Sequence, residues 1–394
     1  MHNFSGTYQS FIDPEIQQVC HFLSPAFEPD AMHSFLADNH PEKIYNILLR
    51  HRLYPSFYRK WTDVCDKAAL SQEWVQFTQQ LRRKADTNRM QMLQKTNTLL
   101  GIADAFAHAS IPMIPLKGPV LAYQLFGDVG MKASLDLDIL IPQSHFDHAW
   151  ETLETLGYRT EFNYKLSPRQ RNYLLNNFHH LAFINGNIRI ELHWEINTNR
   201  YMTGRPNEEY FREAITINIA GKTIQTLHPD HLTEYLSIHG SYHAWNRLDW
   251  LYDFSHAMAT HHESLPRLSD HMQRAGLGMI FNQSMILSNI LFSANLKDIT
   301  PTVPNSLICI PLAEMGKSYS EAKHRGLSRI TQKLYLLKLK KNWKYRIHVF
   351  SVLGTNQGNW QRLKLPDRFF FLYFLLRPVL YLIQTLPKPQ SPKN

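Results

Sequence analysis

The first hundred residues carry apolar side chains at the spacing of amphipathic helices. Apolar residues recur three and four positions apart in Glu42–Leu53 and in Trp74–Leu100, with lysines and arginines between them. This period places one side of each helix against a core and leaves the other in solvent. The second stretch continues toward Ala109, so the pattern predicts a helical N-terminal region with one long helix.

After Ala109 the pattern changes to short apolar runs divided by proline and glycine. Ile111–Leu116 contains two prolines and predicts an edge strand, because proline cannot donate to a central ladder. Gly118 then predicts a turn, and Pro119 is suited to the first turn of a helix that runs to about Phe126.

Strict alternation of apolar and polar residues marks a strand over Leu135–Ile141. Side chains two positions apart in a strand point the same way, so Asp136 and Asp138 share one face with Leu140. The other face is apolar. The pattern therefore predicts a strand with a buried side and two aspartates on its opposite side.

A hairpin is predicted downstream. His180–Ile184 and Asn187–Ile196 flank Asn185-Gly186, the strongest short hairpin signal. Glu191 and His193 lie on the polar face of the second arm. If this arm pairs with the aspartate strand, Glu191 is expected beside the two aspartates.

Helical periods return at about Asp230 and extend to about Asn295, and the proline content of Thr300–Pro311 is typical of a boundary. The whole pattern predicts an α+β protein in which helical N-terminal and C-terminal regions flank a central segment of strands. The predicted division is a helical region at 1–109, the sheet core at 110–200, a helical subdomain at 201–299 and a basic, then apolar, region at 300–394.

Composition narrows the class of partner only in part. The chain has 394 residues, of which 44% are hydrophobic and 19% charged, as in a folded protein with a sizeable core. A formal net charge of +9 favours nucleotides, nucleic acid or acidic lipid as partners. A basic surface that only aids solubility is the alternative.

The cysteines and the N-terminus indicate a compartment. Cys20, Cys65 and Cys309 lie far apart and form no CxxC pair, which argues against a disulfide framework and a zinc ribbon. A reducing cytoplasm is the expected location. No signal peptide is expected, because no basic segment followed by an apolar run opens the chain.

The two aspartates are the candidate chemistry. Their Cα atoms are roughly 6.5–7 Å apart along a strand, which suits two carboxylates that converge on a divalent ion. Mg²⁺ prefers oxygen ligands and often shares its shell with substrate phosphate. A lone DxD motif is weak evidence for a metal site, because two solvated aspartates on a strand are its ordinary explanation. Two neighbouring features strengthen the functional interpretation. The Lys-Gly turn upstream opens a helix whose N–H groups can bind phosphate, and Glu191 lies downstream.

These motifs together resemble the polymerase-β-like nucleotidyltransferase superfamily. The chain looks closest to its bacterial "uncharacterised nucleotidyltransferase family" branch, which is related to abortive-infection-type toxin nucleotidyltransferases. The resemblance covers about Ile111–Ala259 and is carried by PLKGP at Pro115–Pro119, LFGD at Leu125–Asp128, KASLDLDILI at Lys132–Ile141, IELHW at Ile190–Trp194 and the histidine- and tryptophan-containing segment His239–Asp253.

The resemblance implies a reaction and a set of residues. It implies Mg²⁺-dependent (or Mn²⁺-dependent) transfer of a nucleoside monophosphate from an NTP to the hydroxyl of a small molecule, protein or RNA, by a two-metal mechanism. It also implies a small mixed β-sheet core flanked by helices, with a helical subdomain that closes the cleft. Its catalytic and metal-binding carboxylates would be Asp136, Asp138 and Glu191.

Gly118 matches the glycine turn of the superfamily, and the candidate nucleotide-binding residues beside it are Lys117, Lys132, Ser134 and His193. Pro119 departs from the superfamily pattern, which has glycine or serine there, and it has no N–H to give a phosphate. The alternative function is therefore a catalytically weak nucleotide-binding or membrane-peripheral scaffold with the same fold. Ordinary solvation competes with phosphate binding for both lysines, and a plain hydrogen bond competes with a site role for His193.

Two helical histidines and one aspartate need separate interpretations. His239 and His243 have the i, i+4 spacing of zinc ligands, but they lack the glutamate of HExxH, so a role in the cleft or in packing is favoured. Asp253 is expected either to anchor the helical subdomain against the cleft or to pair with Arg247. Glu195 is expected at the surface.

The C-terminal region suggests a further partner. Lys338–Arg346 mixes basic and aromatic residues, so it can contact nucleic acid or an anionic membrane, although a solvated helix face is the commoner explanation. Phe369–Leu386 approaches the length of a membrane span, but Arg377 and Pro378 in its middle argue against a simple one. An in-plane helix peripheral to the inner face of the membrane is one prediction, and docking on the protein's own core or on a partner is the other.

Overall fold

The computed structural model describes residues 8–65, 70–160, 165–260, 265–294, 296, 303–324, 327–351, 355 and 357–377. Helices dominate these residues. In chain order they are α1 (Pro14–Leu23), α2 (Met32–Asp38), α3 (Pro41–His51), α4 (Tyr54–Cys65), α5 (Gln72–His108), α6 (Gly118–Phe126), α7 (Phe146–Thr155), α8 (Pro168–Asn177), α9 (Asn207–Arg212), α10 (Pro229–Tyr242), α11 (Leu248–Thr260), α12 (Leu265–Arg274), α13 (Gly278–Phe292), α14 (Asn305–Met315), α15 (Tyr319–His324), α16 (Arg329–Leu339), α17 (Trp343–Ser351), α18 (Gln357–Arg362) and α19 (Leu372–Leu375). The strands are β1 (Ile114–Pro115), β2 (Leu137–Leu140), β3 (Arg159–Thr160), β4 (His180–Asn185), β5 (Ile188–His193), β6 (Ile215–Ile219) and β7 (Lys222–Thr226).

Five strands form one mixed sheet in the order β1-β2-β5-β4-β3. β2 and β5 are parallel, and the other neighbours are antiparallel. The two short strands form the edges, as the prolines in Ile111–Leu116 predict for β1. The α+β prediction, with a small mixed sheet flanked by helices, is confirmed.

The aspartate strand is shorter than its alternation predicts. β2 begins at Leu137, and Leu135 is 65% exposed. Ser134 Oγ donates to the carbonyl oxygen of Asp136 at 2.6 Å, so a side chain binds a backbone group at the strand entrance. Hydrogen bonds of this local kind compete with the backbone hydrogen bonds between neighbouring strands. Asp136 therefore lies just before the strand and Asp138 within it.

The predicted hairpin is present with its turn one residue later. Asn185 pairs with Ile188, so Gly186 and Asn187 form the loop. Gly186 has φ 57° at the first loop position, where a two-residue hairpin turn of type II′ takes glycine.

Two apolar cores are joined by α5. Residues in its first half, such as Trp74 and Leu81, belong to one core with residues of α1–α4, α10–α14, α16 and α17. Residues in its second half, such as Leu99 and Phe106, pack under the five-stranded sheet. The long helix thus holds the sheet and the helical region together, and the predicted boundary at residue 109 falls at its end.

The antiparallel pair β6–β7 lies inside the stretch that was predicted to be helical. Ile215, Ile217 and Ile219 alternate with polar residues, and Ala220-Gly221 forms the turn with positive φ at both positions. Both signals of a short hairpin are present in the sequence, so this element was predictable.

The C-terminal apolar segment is only partly described. Phe369–Arg377 contains the short helix α19, whereas Pro378–Leu386 lies outside the described residues. In the described part of the chain, no helix combines the length and the apolarity needed to cross a membrane.

Candidate functional site

The parallel pairing of β2 with β5 brings the candidate carboxylates together. Asp138 lies opposite Glu191, and Leu140 lies opposite His193. Asp138 and His193 are only 3% and 4% exposed, although strands that alternate apolar and polar residues usually turn their polar side to solvent. Carboxylate and imidazole side chains are therefore buried together at the centre of the five-stranded sheet.

Three side chains in this cluster can contact one ion. His193 Nε2 lies 3.1 Å from Asp138 Oδ1 and 3.7 Å from Glu191 Oε2. One ligand atom from each residue lies within 4.8 Å of the other two. Asp138 Oδ2 and His193 Nδ1 are buried and find no hydrogen-bond partner among the described residues. Buried polar atoms are nearly always satisfied, so the unpaired Asp138 Oδ2, together with the carboxylate-rich donor set, fits a divalent cation.

Two further histidines extend the donor set. His180 lies opposite His193 in the β4–β5 ladder, and its Nε2 is 3.7 Å from Glu191 Oε2. His180 Nδ1 is 2.9 Å from His179 Nε2. His179, His180 and His193 form a second group whose ligand atoms lie within 4.8 Å of one another. Sequence reasoning missed both residues, although their place at the start of the first hairpin arm was a usable signal.

Asp136 lies beside this cluster but outside the group of mutually close ligand atoms. Its side chain is half-buried at the strand entrance. Burial raises the pKa of Asp136, and the carboxylates of Asp138 and Glu191 raise it further. A cation between these carboxylates would relieve their mutual repulsion.

The charges around Asp138 keep it ionised. Burial alone would raise its pKa, but the Lys117 ammonium and the His193 hydrogen bond hold the pKa below its usual range. Burial would likewise lower the pKa of His193, yet its hydrogen bonds to Asp138 and Glu191 raise it. Lys117 Nζ lies 3.5 Å from Asp138 Oδ1.

The Lys-Gly turn lies against the backbone at the start of the aspartate strand. Gly118 opens α6 with φ 64°, a conformation that favours glycine. A Cβ placed on Gly118 would lie 3.7 Å from both the Asp136 carbonyl oxygen and Ser134 Oγ. The Leu116 N–H donates to the Asp138 carbonyl oxygen at 2.9 Å, which fixes the turn to β2. The positive end of α6 therefore faces Asp136.

Lys132 forms an ion pair outside the carboxylate cluster. Its ammonium forms a buried ion pair with Asp253 on α11. The predicted contact of Lys132 with a triphosphate does not follow from this arrangement. Asp253 instead anchors the helical subdomain to the segment before β2, and Arg247 pairs with Asp249, its Nε 2.8 Å from Asp249 Oδ1.

Two cations that the sequence did not single out interact electrostatically with Asp136. Lys95, on α5, is 8% exposed, and its ammonium forms no hydrogen bond or ion pair within the described ranges. Asn88, two turns earlier on the same helix face, donates to the Lys132 carbonyl oxygen at 2.9 Å, so this face of α5 lies along the segment that leads to Asp136. Burial lowers the pKa of Lys95, and the charge of Asp136 opposes that shift.

Arg52 is the second of these cations. It ends α3 in the left-handed conformation, with φ 56°. Burial lowers the pKa of its guanidinium, with a further decrease from Arg247, whereas Asp249 and Asp136 raise it. Lys95 and Arg52 come from helices far upstream, so no local motif marks them.

Helix α10 packs beside the carboxylate and histidine cluster. Lys117 Nζ lies 5.9 Å from the ring centroid of Tyr235. His239 and His243 have ring centroids 4.7 Å apart, and His239 lies edge-on to Trp250 at 4.7 Å. The two histidines thus contact each other and an aromatic ring, in agreement with a role in packing near the cleft.

Comparison with protein families matches residues 37–293 to the model of a family described as "Uncharacterised nucleotidyltransferase". The match covers more than half of the chain and includes β2, β5, the Lys-Gly turn and the covering helices. No curated protein and no solved structure matches the chain.

Proposed function

Since the chain belongs to the uncharacterised nucleotidyltransferase family, we propose that it transfers a nucleoside monophosphate from an NTP to an acceptor hydroxyl. The observation that carries this proposal is the pairing of Asp138 with Glu191 across β2 and β5, within the matched region. The acceptor oxygen forms a bond to the α-phosphorus while the bond to the pyrophosphate oxygen breaks. The hydroxyl proton passes to a carboxylate of the cluster.

Asp138, Glu191 and His193 would hold a divalent cation, Mg²⁺ or Mn²⁺, with Asp136 beside them. When bound, such ions neutralise phosphate oxygens and favour loss of pyrophosphate. The two-metal arrangement is part of the proposal. Membership of the abortive-infection-related bacterial branch stays a prediction.

The cations of the site would bind the triphosphate. Lys117 lies at the turn that opens α6, and Lys95 and Arg52, from the N-terminal helices, interact electrostatically with Asp136. Three positive groups compensate for the N–H that Pro119 lacks at this turn. Electrostatic attraction of this kind is strong where water is largely excluded.

Replacing Lys95 by methionine should separate binding from stability. The variant removes a charge from a largely buried side chain that forms no ion pair within the described residues, so we expect the melting temperature to stay equal or to rise. We expect the Kd for NTP to increase about tenfold, or ~1.4 kcal/mol. Differential scanning fluorimetry and isothermal titration calorimetry measure the two effects. The exposed Lys84→Met, on the same helix, is the control. Unchanged NTP affinity in Lys95→Met would remove Lys95 from the site.

The relative affinities of the protein for Mn²⁺ and Mg²⁺ test whether His193 is a metal ligand. Imidazole nitrogen suits transition metals better than Mg²⁺, so we expect Mn²⁺ to bind the free protein about tenfold more tightly than Mg²⁺. His193→Asn should abolish this difference, and the exposed His148→Asn should keep it. Calorimetric titration of each ion into the protein gives both constants. Equal affinities in the unmodified protein, or a preference that survives in His193→Asn, would contradict the assignment of His193 as a ligand.

A catalytically weak nucleotide-binding protein is the second candidate, and Pro119 favours it. Pro119 follows Gly118 within the first turn of α6, where a residue with an N–H could bind phosphate. This candidate predicts thermal stabilisation by NTP without any release of pyrophosphate.

A labelling screen can identify the acceptor molecule of the proposed reaction. Each of the four NTPs, labelled at the α-phosphate, can be incubated with the protein, Mg²⁺ or Mn²⁺, and fractions of a cell extract. We expect one fraction to contain a labelled macromolecule or metabolite, and we expect one base to be preferred. NTP binding without label transfer to any fraction would favour the second candidate.

A further inference from the structure

Helices α16 and α17 are apolar on both sides. Tyr335 on α16 and Tyr345 on α17 are 1% and 0% exposed, so one side of each helix packs in the helical core. The opposite sides also carry large apolar residues in solvent: Ile330 (73% exposed), Leu334 (56%), Trp343 (65%), Ile347 (58%) and Phe350 (53%). A helix on a protein surface normally turns polar residues outward.

These side chains follow helical spacing and adjoin across the two helices. Ile330 and Leu334 are four positions apart, and Trp343, Ile347 and Phe350 fall on one face of α17. Lys333 Nζ lies 5.8 Å from the Phe350 ring centroid, so the outward faces of the two helices meet. We call these five apolar residues and the basic residues among them the α16–α17 surface.

The charge of this region has one sign. Between Glu321 and Asp367 the sequence has no aspartate or glutamate, but it has eleven lysines and arginines. Lys344 and Arg346 are exposed beside Trp343 and Ile347, and Lys333 lies among the apolar residues on α16. The combination of exposed aliphatic and aromatic groups with cations only is typical of a helix that lies in a lipid headgroup layer.

We propose that the α16–α17 surface binds an anionic lipid bilayer, with both helices parallel to its plane. The aliphatic residues decide between lipid and nucleic acid, because Ile330, Leu334 and Ile347 gain by entering hydrocarbon but offer no ring for base stacking. A second copy of the chain would present the same cations to this surface, and like charges would repel. The proposal is independent of nucleotidyl transfer.

Vesicle co-sedimentation with the full chain tests this proposal. The two vesicle types are phosphatidylcholine alone and phosphatidylcholine mixed with phosphatidylglycerol. We expect binding to the anionic vesicles, weak binding to the neutral ones, and a decrease in high salt. Two variants, Ile347→Asn with Phe350→Ala, and Lys333→Glu with Lys344→Glu, should each reduce binding at least about tenfold. All four positions are on the outward side of their helices, so the melting temperature should not change.

A matched control changes exposed apolar residues elsewhere. Met90 and Leu93 on α5 are 68% and 49% exposed, so Met90→Gln with Leu93→Gln removes similar apolar area from another face. This variant should bind anionic vesicles like the unmodified protein. The proposal is overturned if the α16–α17 variants still bind, if only removal of residues 378–394 abolishes binding, or if the surface binds an RNA oligonucleotide or forms dimers instead of binding vesicles.

Discussion

Replacing Asp138 by asparagine is expected to lower nucleotidyl transfer at least about a hundredfold, which corresponds to ~3 kcal/mol of transition-state stabilisation. Asp138 is the carboxylate nearest to both His193 and Lys117, and it lies opposite Glu191 in the parallel pair. Asparagine has nearly the same shape but no charge to hold a cation. Single-turnover release of labelled pyrophosphate measures the loss.

The control for this variant is an aspartate outside the cluster. Asp147 is exposed and pairs with Arg171, so Asp147→Asn should keep full activity. Circular dichroism melting must show that Asp138→Asn still folds, because Lys117 loses a charged neighbour. A folded Asp138→Asn protein with full activity would show that the chemistry does not depend on this site.

The largest effect on stability is expected at the Lys132–Asp253 ion pair. Their side chains are only 9% and 2% exposed, and removal of one partner leaves the other charge buried. Lys132→Met or Asp253→Asn should each lower the free energy of unfolding by about 3–5 kcal/mol. Chemical denaturation of each variant measures this loss. Burial raises the pKa of Asp253 to about 6 even beside Lys132, so the ionised pair is itself costly.

An apolar replacement of both partners should therefore recover stability. Lys132→Met combined with Asp253→Leu is expected to regain at least half of the loss, since well-packed apolar groups often substitute for a buried pair. The exposed pair of Arg171 and Asp147 serves for comparison, and Arg171→Ala should cost less than about 1 kcal/mol. Single variants as stable as the unmodified protein would mean that the pair does not hold α11 to the segment before β2.

Local patterns predicted the elements that build the site. Alternation around Asp136 and Asp138, the glycine in the hairpin turn, and the Lys117-Gly118 turn are each set by neighbouring residues and by backbone sterics. The same kind of signal was present for β6–β7 and was overlooked. The sequence predicts that Glu191 lies beside the two aspartates only if β2 and β5 pair, and this pairing depends on the whole sheet.

Contacts between distant segments could not be predicted. Lys132 and Asp253 are 121 positions apart, and although the sequence predicts an anchoring role for Asp253 as one of two alternatives, nothing in it identifies Lys132 as the partner. Lys95 appears in the sequence as one lysine of a long amphipathic helix, and only the packing of α5 against the segment before β2 buries it where it interacts electrostatically with Asp136. The positions of His179 and His180 at the start of β4 were a signal in the sequence, but their approach to His193 depends on the pairing of β4 with β5.

The position of the transferred label tests nucleotidyl transfer most directly. The protein, a divalent cation and an acceptor-containing extract fraction are incubated in parallel with NTP labelled at the α-phosphate or at the γ-phosphate. We predict that the α-label becomes covalently bound to the acceptor, that the γ-label is released as pyrophosphate, and that Asp138→Asn does neither. Transfer of the γ-label to the acceptor, or bound NTP that releases no pyrophosphate, would contradict the proposed function.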